Sequence, residues 1–76
     1  MNYREILNKG SQILKLNNIK SYILDSEILL SKTIKKDRSQ LLLSLDKKIS
    51  EKKIKIFFKY INRRKKNEPI AYITGF

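Results

Sequence analysis

Two acids, Asp25 and Glu27, are the first candidates for chemistry, since paired carboxylates often carry out general acid–base catalysis. They stand two positions apart, which on a helix separates them by roughly 200°. They therefore point to opposite sides and cannot share a proton or a metal ion. The spacing favours one surface acid and one acid paired with a base over an active site.

Nucleophilic catalysis is not expected of this chain either. It contains no histidine and no cysteine, so no imidazole can activate its serines, and neither a zinc finger nor a disulfide can form. Its two glycines, Gly10 and Gly75, lie within a predicted helix and near the last residue, not in a phosphate-binding loop. We predict no catalytic residue, no cofactor-binding residue and no metal ligand in this sequence.

A stripe of basic residues is the main candidate for binding a partner. Its members recur at spacings of three and four along one predicted helix and are Lys52, Lys55, Lys59, Arg63 and Lys66. We refer to these five residues as the basic stripe. Such a face suits phosphates or an acidic protein surface. A solvated helix face in a lysine-rich protein also explains the spacing, and we favour it over a nucleic-acid site.

Length and composition limit the possibilities further. The 76 residues carry 18 Lys+Arg against 7 Asp+Glu, a formal charge of +11. Lysine supplies 14 of the basic residues, and Ile and Asn are also frequent, which indicates an A/T-rich genome. Because codon bias explains part of the positive charge, the charge is weak evidence for nucleic-acid binding. One small domain fits this length, and no apolar run reaches the roughly 20 residues of a membrane span. We expect a cytoplasmic, monomeric protein without a membrane partner.

Hydrophobic spacing and capping residues predict helices along the whole chain. The predicted helices are Tyr3 to Leu16 behind a capping box of Asn2 and Glu5, a second helix to about Ile34 behind the N-cap Ser21, a short helix behind Asp37, a longer one behind Ser50, and Ile70 to about Thr74 behind Pro69. Gly10 on the apolar face of the first helix predicts a close approach between helices. The predicted fold class is all-α, a small orthogonal bundle of four to five helices.

The apolar residues of these helices predict the core. The broad face of the second helix comprises Ile23, Leu24, Ile28, Leu29, Leu30 and Ile34, and the third helix is expected to bury Leu41, Leu42, Leu43 and Leu45. The tyrosines Tyr60 and Tyr72 are expected to be exposed, and Tyr72 suits an interface.

Charged residues on helices with broad apolar faces need partners, so we expect Asp25 to pair with Arg64 across the second and fourth helices. Glu68 and Pro69 are expected to fix the turn after the fourth helix, because proline sets its own φ and restricts the residue before it. The apolar end, Ile73 to Phe76, is expected to lead into a further part of the polypeptide.

Two stretches of sequence are specific enough to indicate a family. They read S-Y-I-L-D-S-E-I-L-L from Ser21 to Leu30 and R-R-K-K-N-E-P-I-A-Y-I-T-G from Arg63 to Gly75. Together they resemble the N-terminal domain of the HemK/PrmC family, the peptide chain release factor glutamine N5-methyltransferases. Asn67 stands where that family usually has glycine, a mild departure because asparagine also tolerates positive φ.

The resemblance implies a two-domain enzyme, with a helical substrate-recognition domain in residues 1–74 and a linker that begins at 75–76. The implied C-terminal domain binds S-adenosylmethionine and methylates the Gly-Gly-Gln glutamine of release factors. The implied partners of the helical domain are the release factor and that methyltransferase domain. Scaffold or interdomain roles are then expected at the family positions Asp25, Glu27, Arg64, Glu68, Pro69, Tyr72 and Gly75.

The charge leaves a second function open, that of a free-standing basic helical module which binds RNA or the ribosome through the basic stripe. A third possibility is a purely structural or dimerisation domain.

Overall fold

The helices of the chain begin and end close to the positions that the sequence predicts. In a computed structural model, which describes residues 1–75, they are α1 (Tyr3–Leu16), α2 (Tyr22–Ile34), α3 (Arg38–Leu42), α4 (Glu51–Lys65) and α5 (Ile70–Thr74). The predicted small all-α bundle is confirmed. Phe76, the second residue of the predicted linker start, lies outside the described residues. No helix in the described part has the length and apolar character needed to cross a bilayer.

Side-chain caps set the starts of most helices. Asn2 accepts a hydrogen bond from the Glu5 N–H at 2.9 Å, and the Glu5 carboxylate accepts one from the Asn2 N–H at 3.1 Å, which completes the predicted capping box. Asp37 forms the same kind of capping box with Gln40 at the start of α3, whereas the Ser50 hydroxyl caps α4 by accepting a hydrogen bond from the Lys53 N–H alone. Ser21 differs from the prediction: it precedes α2 but makes no side-chain cap, because its hydroxyl is used elsewhere.

Three helices end with the same backbone conformation. A residue in the left-handed region ends α1, α2 and α4, at Asn18 (φ 64°), Lys35 (φ 58°) and Asn67 (φ 68°). In each case the N–H of the next residue bonds to a carbonyl five positions earlier, which is the Schellman arrangement. Asparagine tolerates this conformation, whereas lysine gains nothing from it.

Replacing Lys35 by glycine is therefore expected to stabilise the protein by about 1 kcal/mol, since glycine avoids the steric cost of the left-handed region. Thermal unfolding followed by circular dichroism should show a rise in Tm of about 4–8 °C. Asn18→Gly is the matched control and should raise Tm less. A lower Tm for Lys35→Gly than for the parent would contradict the strain argument.

The core lies where α1, α2 and α4 pack together. Its fully buried large side chains are Ile6, Leu14, Leu29, Leu30, Leu41, Phe57 and Ile61. Gly10 makes the predicted close approach: a Cβ at this position would lie 2.6 Å from Phe57 Cζ and 3.1 Å from Ile61 Cδ1. Only a glycine lets α1 and the Phe57 ring of α4 sit this close.

The leucines around α3 divide differently from the prediction. Leu41 is fully buried and Leu45 is partly buried, but Leu42 and Leu43 are exposed, Leu43 by 88%. The prediction that all four are buried was wrong. A helix of one turn presents only one side to the bundle, so its neighbouring leucines face solvent.

The first turn of α2 also has more exposed apolar surface than predicted. Ile23 and Leu24 are 55% and 43% exposed, so the apolar face that packs inward consists mainly of the later residues of the helix. Tyr60 was expected to be exposed, yet it is half-buried and packs against the core. Tyr72 is exposed, as predicted.

A pairing between the chain start and the α3–α4 loop was not predicted. The Tyr3 N–H donates to the Lys47 carbonyl at 2.9 Å, and the Arg4 N–H donates to the Leu45 carbonyl at 3.0 Å. These bonds satisfy N–H groups in the first turn of α1 that have no partner within the helix. The loop is thereby tied to the N-terminus.

Candidate functional site

A buried ion pair joins α2 to α4. Asp25 is only 4% exposed, and its Oδ2 accepts hydrogen bonds from Arg64 Nε at 2.9 Å and from the Ser21 hydroxyl at 2.8 Å. The predicted pairing of Asp25 with Arg64 is confirmed. A carboxylate buried this deeply needs such donors, because an unpaired buried charge is strongly unfavourable. The pair fastens the start of α2 to the end of α4.

The two consecutive arginines also hold residues 66–69, which we refer to as the α4–α5 turn. Arg64 Nη1 donates to the Glu68 carbonyl at 3.2 Å, and the Arg63 guanidinium makes two bonds to the Glu68 carboxylate, that from Nε at 3.1 Å. One arginine thus binds the backbone of the turn, and the other binds its side chain. Pro69 follows with φ −59°, within the range that its ring imposes.

The Arg63–Glu68 pair was missed by sequence reasoning, although a signal for it existed. In a Schellman ending, the second residue beyond the helix returns to the residue five positions earlier. Asn67 in the left-handed conformation places Glu68 beside Arg63 in this way. Recognising Asn67 as the helix end would have predicted the pair.

The hydrogen bonds from Arg63 hold the pKa of Glu68 below its ordinary value, and the same bonds raise the pKa of Arg63. Because the folded-state pKa of Glu68 is lowered, its ionised form stabilises the fold above its unfolded pKa, about 4.3. This stabilisation is lost as the pH falls through the folded value.

We expect Glu68→Gln to lower the free energy of unfolding at pH 7, and the difference from the parent to shrink below about pH 4.3 and vanish at lower pH. Urea unfolding of both proteins across this range measures the difference. Glu51→Gln is the matched control, since none of the ion pairs among residues 1–75 includes Glu51. An equal pH-dependent difference in both variants would argue against the pair.

Glu27 lies on the other side of α2, as its spacing from Asp25 predicts. Its Oε1 accepts hydrogen bonds from Arg38 Nε at 3.1 Å and from Nη2 at 2.8 Å, which links α2 to α3. The expectation of one surface acid and one paired acid needs correction, because both acids are paired. The two carboxylates join α2 to different neighbours.

The basic stripe forms an exposed face of α4, but its members differ in how free their charges are. Lys52, Lys55, Lys59 and Lys66 are exposed, whereas Arg63 is half-buried and bound to Glu68. In residues 1–75 the four ion pairs use each of the four arginines and no lysine. The uncompensated positive charge of the protein therefore resides on its lysines.

The short helix α5 presents one side to solvent and one to the bundle. Tyr72 is 73% exposed, while Ile73 is buried. Lys32 Nζ donates to the Thr74 carbonyl at 3.1 Å, which ties the end of α5 to α2. Gly75 follows with φ 85°, a conformation that favours glycine.

The ion pairs described above position the helices, and the exposed lysines of α4 can bind a partner. Asp25, Glu27 and Glu68 are each bound by an arginine, so none of the three is a free general base. Among the described residues, no three side chains of His, Cys, Asp or Glu come together as a metal site would require.

The sequence matches the family described as PrmC N-terminal domain over residues 5–75. The chain belongs to this family. The match includes both motifs, so the residues of the buried pair and of the α4–α5 turn lie within the PrmC N-terminal domain.

Curated relatives agree with this assignment. The chain is 45% identical to the release factor glutamine methyltransferase of Clostridium acetobutylicum over 97% of its own length and 26% of that relative. It is 42% identical to the bifunctional methyltransferase of Rickettsia felis over 95% of its length and 14% of that relative. The chain thus spans about a quarter or less of these proteins. No solved structure matches it significantly.

Proposed function

We propose that this chain is the substrate-recognition domain of an S-adenosylmethionine-dependent methyltransferase that modifies the Gly-Gly-Gln glutamine of peptide chain release factors. The observation that carries the proposal is membership of the PrmC N-terminal domain family, with relatives named release factor glutamine methyltransferase. The methyl donor and the reacting glutamine then bind outside these residues. The 76 residues act in the cytoplasm and contribute no catalytic group.

The physical reason for such a domain is the size of the substrate. An enzyme that modifies one glutamine of a large protein gains orientation from contacts away from the reacting atom. A rigid helical bundle supplies such contacts at small entropic cost. This role fits a domain in which arginines bind four of the seven acids and no lysine forms an ion pair among residues 1–75.

The family positions have a structural role in this proposal. Asp25 and Arg64 hold α2 against α4, and Arg64 with Glu68 holds the α4–α5 turn. Because α5 follows this turn directly, the network fixes the direction in which the chain leaves the bundle at Gly75. We assign to it the orientation of residues 1–74 relative to the methyltransferase domain, with Tyr72 exposed towards that domain.

A chimera tests the proposal. This chain replaces the matching segment of the Clostridium acetobutylicum relative, and the chimera is compared with a version that lacks the segment. The chimera should methylate a release factor with a lower KM than the deletion, while both bind S-adenosylmethionine equally. Equal KM values of the chimera and the deletion for the release factor would contradict a recognition role. So would a deletion that loses as much affinity for S-adenosylmethionine as for the release factor.

RNA or ribosome binding remains the second candidate, and the unpaired lysines are the observation that favours it. Under the leading proposal, RNA binding is a bulk-charge effect that disappears between low and physiological salt. Filter binding of the chain to single-stranded RNA across salt concentrations separates the two functions. Micromolar affinity at physiological salt would favour the RNA module.

A further inference from the structure

A groove with an apolar floor and a basic rim runs between α1 and α4. Its volume is about 450 Å³, within the range of small binding pockets. Ile13 and Phe58, both half-buried, contribute to the floor. The polar lining residues all come from α4 and are Lys55, Lys59, Asn62 and Lys65. We refer to this feature as the α1–α4 groove.

The charge of this groove is not compensated by its own lining. None of the residues that line it is acidic, and its three lysines make no ion pair with any described acid. It includes Lys55 and Lys59 of the basic stripe and omits Arg63, whose charge is bound by Glu68. Of the four exposed lysines in the basic stripe, Lys55 and Lys59 border an apolar depression.

A second groove provides a comparison. It has a volume of about 410 Å³ and lies between the end of α2, the start of α3 and Thr74. Asp37 lines it, and Lys32 is already hydrogen-bonded to the Thr74 carbonyl. Its positive charge is thus partly balanced, so the α1–α4 groove is the stronger site for an acidic partner.

The lining chemistry favours a peptide over a nucleic acid. Sequential base stacking needs exposed aromatic faces, but the groove contains one aromatic ring, Phe58, which packs 5.4 Å from Phe57 between centroids. No arginine lines the groove for planar, bidentate contacts to phosphates or bases. Lysine ammonium groups around an aliphatic and aromatic floor suit carboxylates that flank one apolar side chain. Asn62 adds an amide that can bond to a peptide backbone.

We infer that the α1–α4 groove binds an acidic segment of the protein substrate, with one apolar side chain between Ile13 and Phe58 and carboxylates at Lys55, Lys59 and Lys65. The identity of the partner as a release factor rests on the proposed function. The groove itself rests on its geometry and charge. It gives the recognition domain a defined binding face.

Charge reversal tests the assignment with a matched control. The variant Lys55→Glu/Lys59→Glu alters the groove, and Lys20→Glu/Lys47→Glu makes the same change in net charge at exposed positions elsewhere. Isothermal titration calorimetry measures the binding of each chain to a bacterial release factor and to a synthetic peptide of glutamates around one leucine. The groove variant should bind both at least about tenfold more weakly, and the control should change much less. Circular dichroism verifies that both variants are folded.

The outcomes separate the groove from the proposed function. Equal weakening in both variants would show bulk charge and overturn the groove, as would unchanged binding in both. Replacing leucine by serine in the peptide should weaken its binding severalfold. Unchanged binding would contradict the claim that an apolar side chain of the ligand lies between Ile13 and Phe58. If the parent binds the peptide at the groove but not the release factor, the proposed function fails while the groove stands. Tighter binding of RNA than of the peptide at physiological salt would contradict the assignment of an acidic peptide segment as the ligand of the groove.

Discussion

Arg64→Ala is expected to lower the free energy of unfolding by about 3 kcal/mol or more, the largest effect of any single charge removal in this protein. The Asp25 side chain is 6% exposed and that of Arg64 is 19% exposed. Removal of the guanidinium leaves the Asp25 carboxylate buried with only the Ser21 hydroxyl as a donor. It also removes the bond to the Glu68 carbonyl, so the α4–α5 turn loosens as well.

Urea unfolding followed by circular dichroism measures this effect. Arg4→Ala is the matched control, since it breaks the Arg4–Asp46 pair, whose side chains are 53% and 85% exposed, and should cost less than about 1 kcal/mol. Arg64→Lys keeps the charge but not the planar, forked geometry, so it should be intermediate and remain measurable if the alanine variant does not fold. Equal destabilisation in the Arg4 and Arg64 variants would refute the importance of burial.

Gly10→Ala is expected to destabilise the protein by about 1–3 kcal/mol, opposite in sign to the usual effect of this substitution in a helix. Helix propensity alone predicts a gain of about 1 kcal/mol. The new Cβ, however, would lie 2.6 Å from Phe57 Cζ and 2.8 Å from Cε2, and the Phe57 ring is fully buried. α1 and α4 must therefore separate, or the ring must leave its position in the core.

Thermal unfolding of two further variants shows whether the clash is the cause. Asn8→Ala on the exposed side of α1 should be neutral or slightly stabilising, because only propensity changes there. In the Gly10→Ala/Phe57→Leu double variant the added methyl group should cost less than in the parent background, which a double-mutant cycle measures. A higher Tm for Gly10→Ala alone would mean that the helices adjust without cost.

The helix boundaries could be predicted because the signals that set them are local. The caps at Asn2, Asp37 and Ser50 each bond to a backbone N–H three residues further on. Asn67 at a position that needs positive φ was likewise understandable from its residue type. The family, too, follows from two short stretches whose residue order is specific.

The candidate site was predictable only in part. The partner of Asp25 was expected, since a charge within an apolar helix needs a base and Arg64 was a suitable one. The bond from Arg63 to Glu68 was not expected, and it removes one charge from the predicted basic stripe. The α1–α4 groove was also not predictable, because apolar side chains such as Ile13 and Phe58 carry no charge that selects a partner, and their meeting depends on how α1 packs against α4.

The sequence by itself determined the helices, the caps at Asn2, Asp37 and Ser50, and the family. The tertiary structure alone decided which leucines near α3 are buried, which lysines border a groove and where the α3–α4 loop meets the N-terminus. The physical reason is the range of the interactions. Capping and helix spacing act within five residues, whereas burial and long-range pairing depend on what lies opposite, as for the Tyr3 N–H and the Lys47 carbonyl.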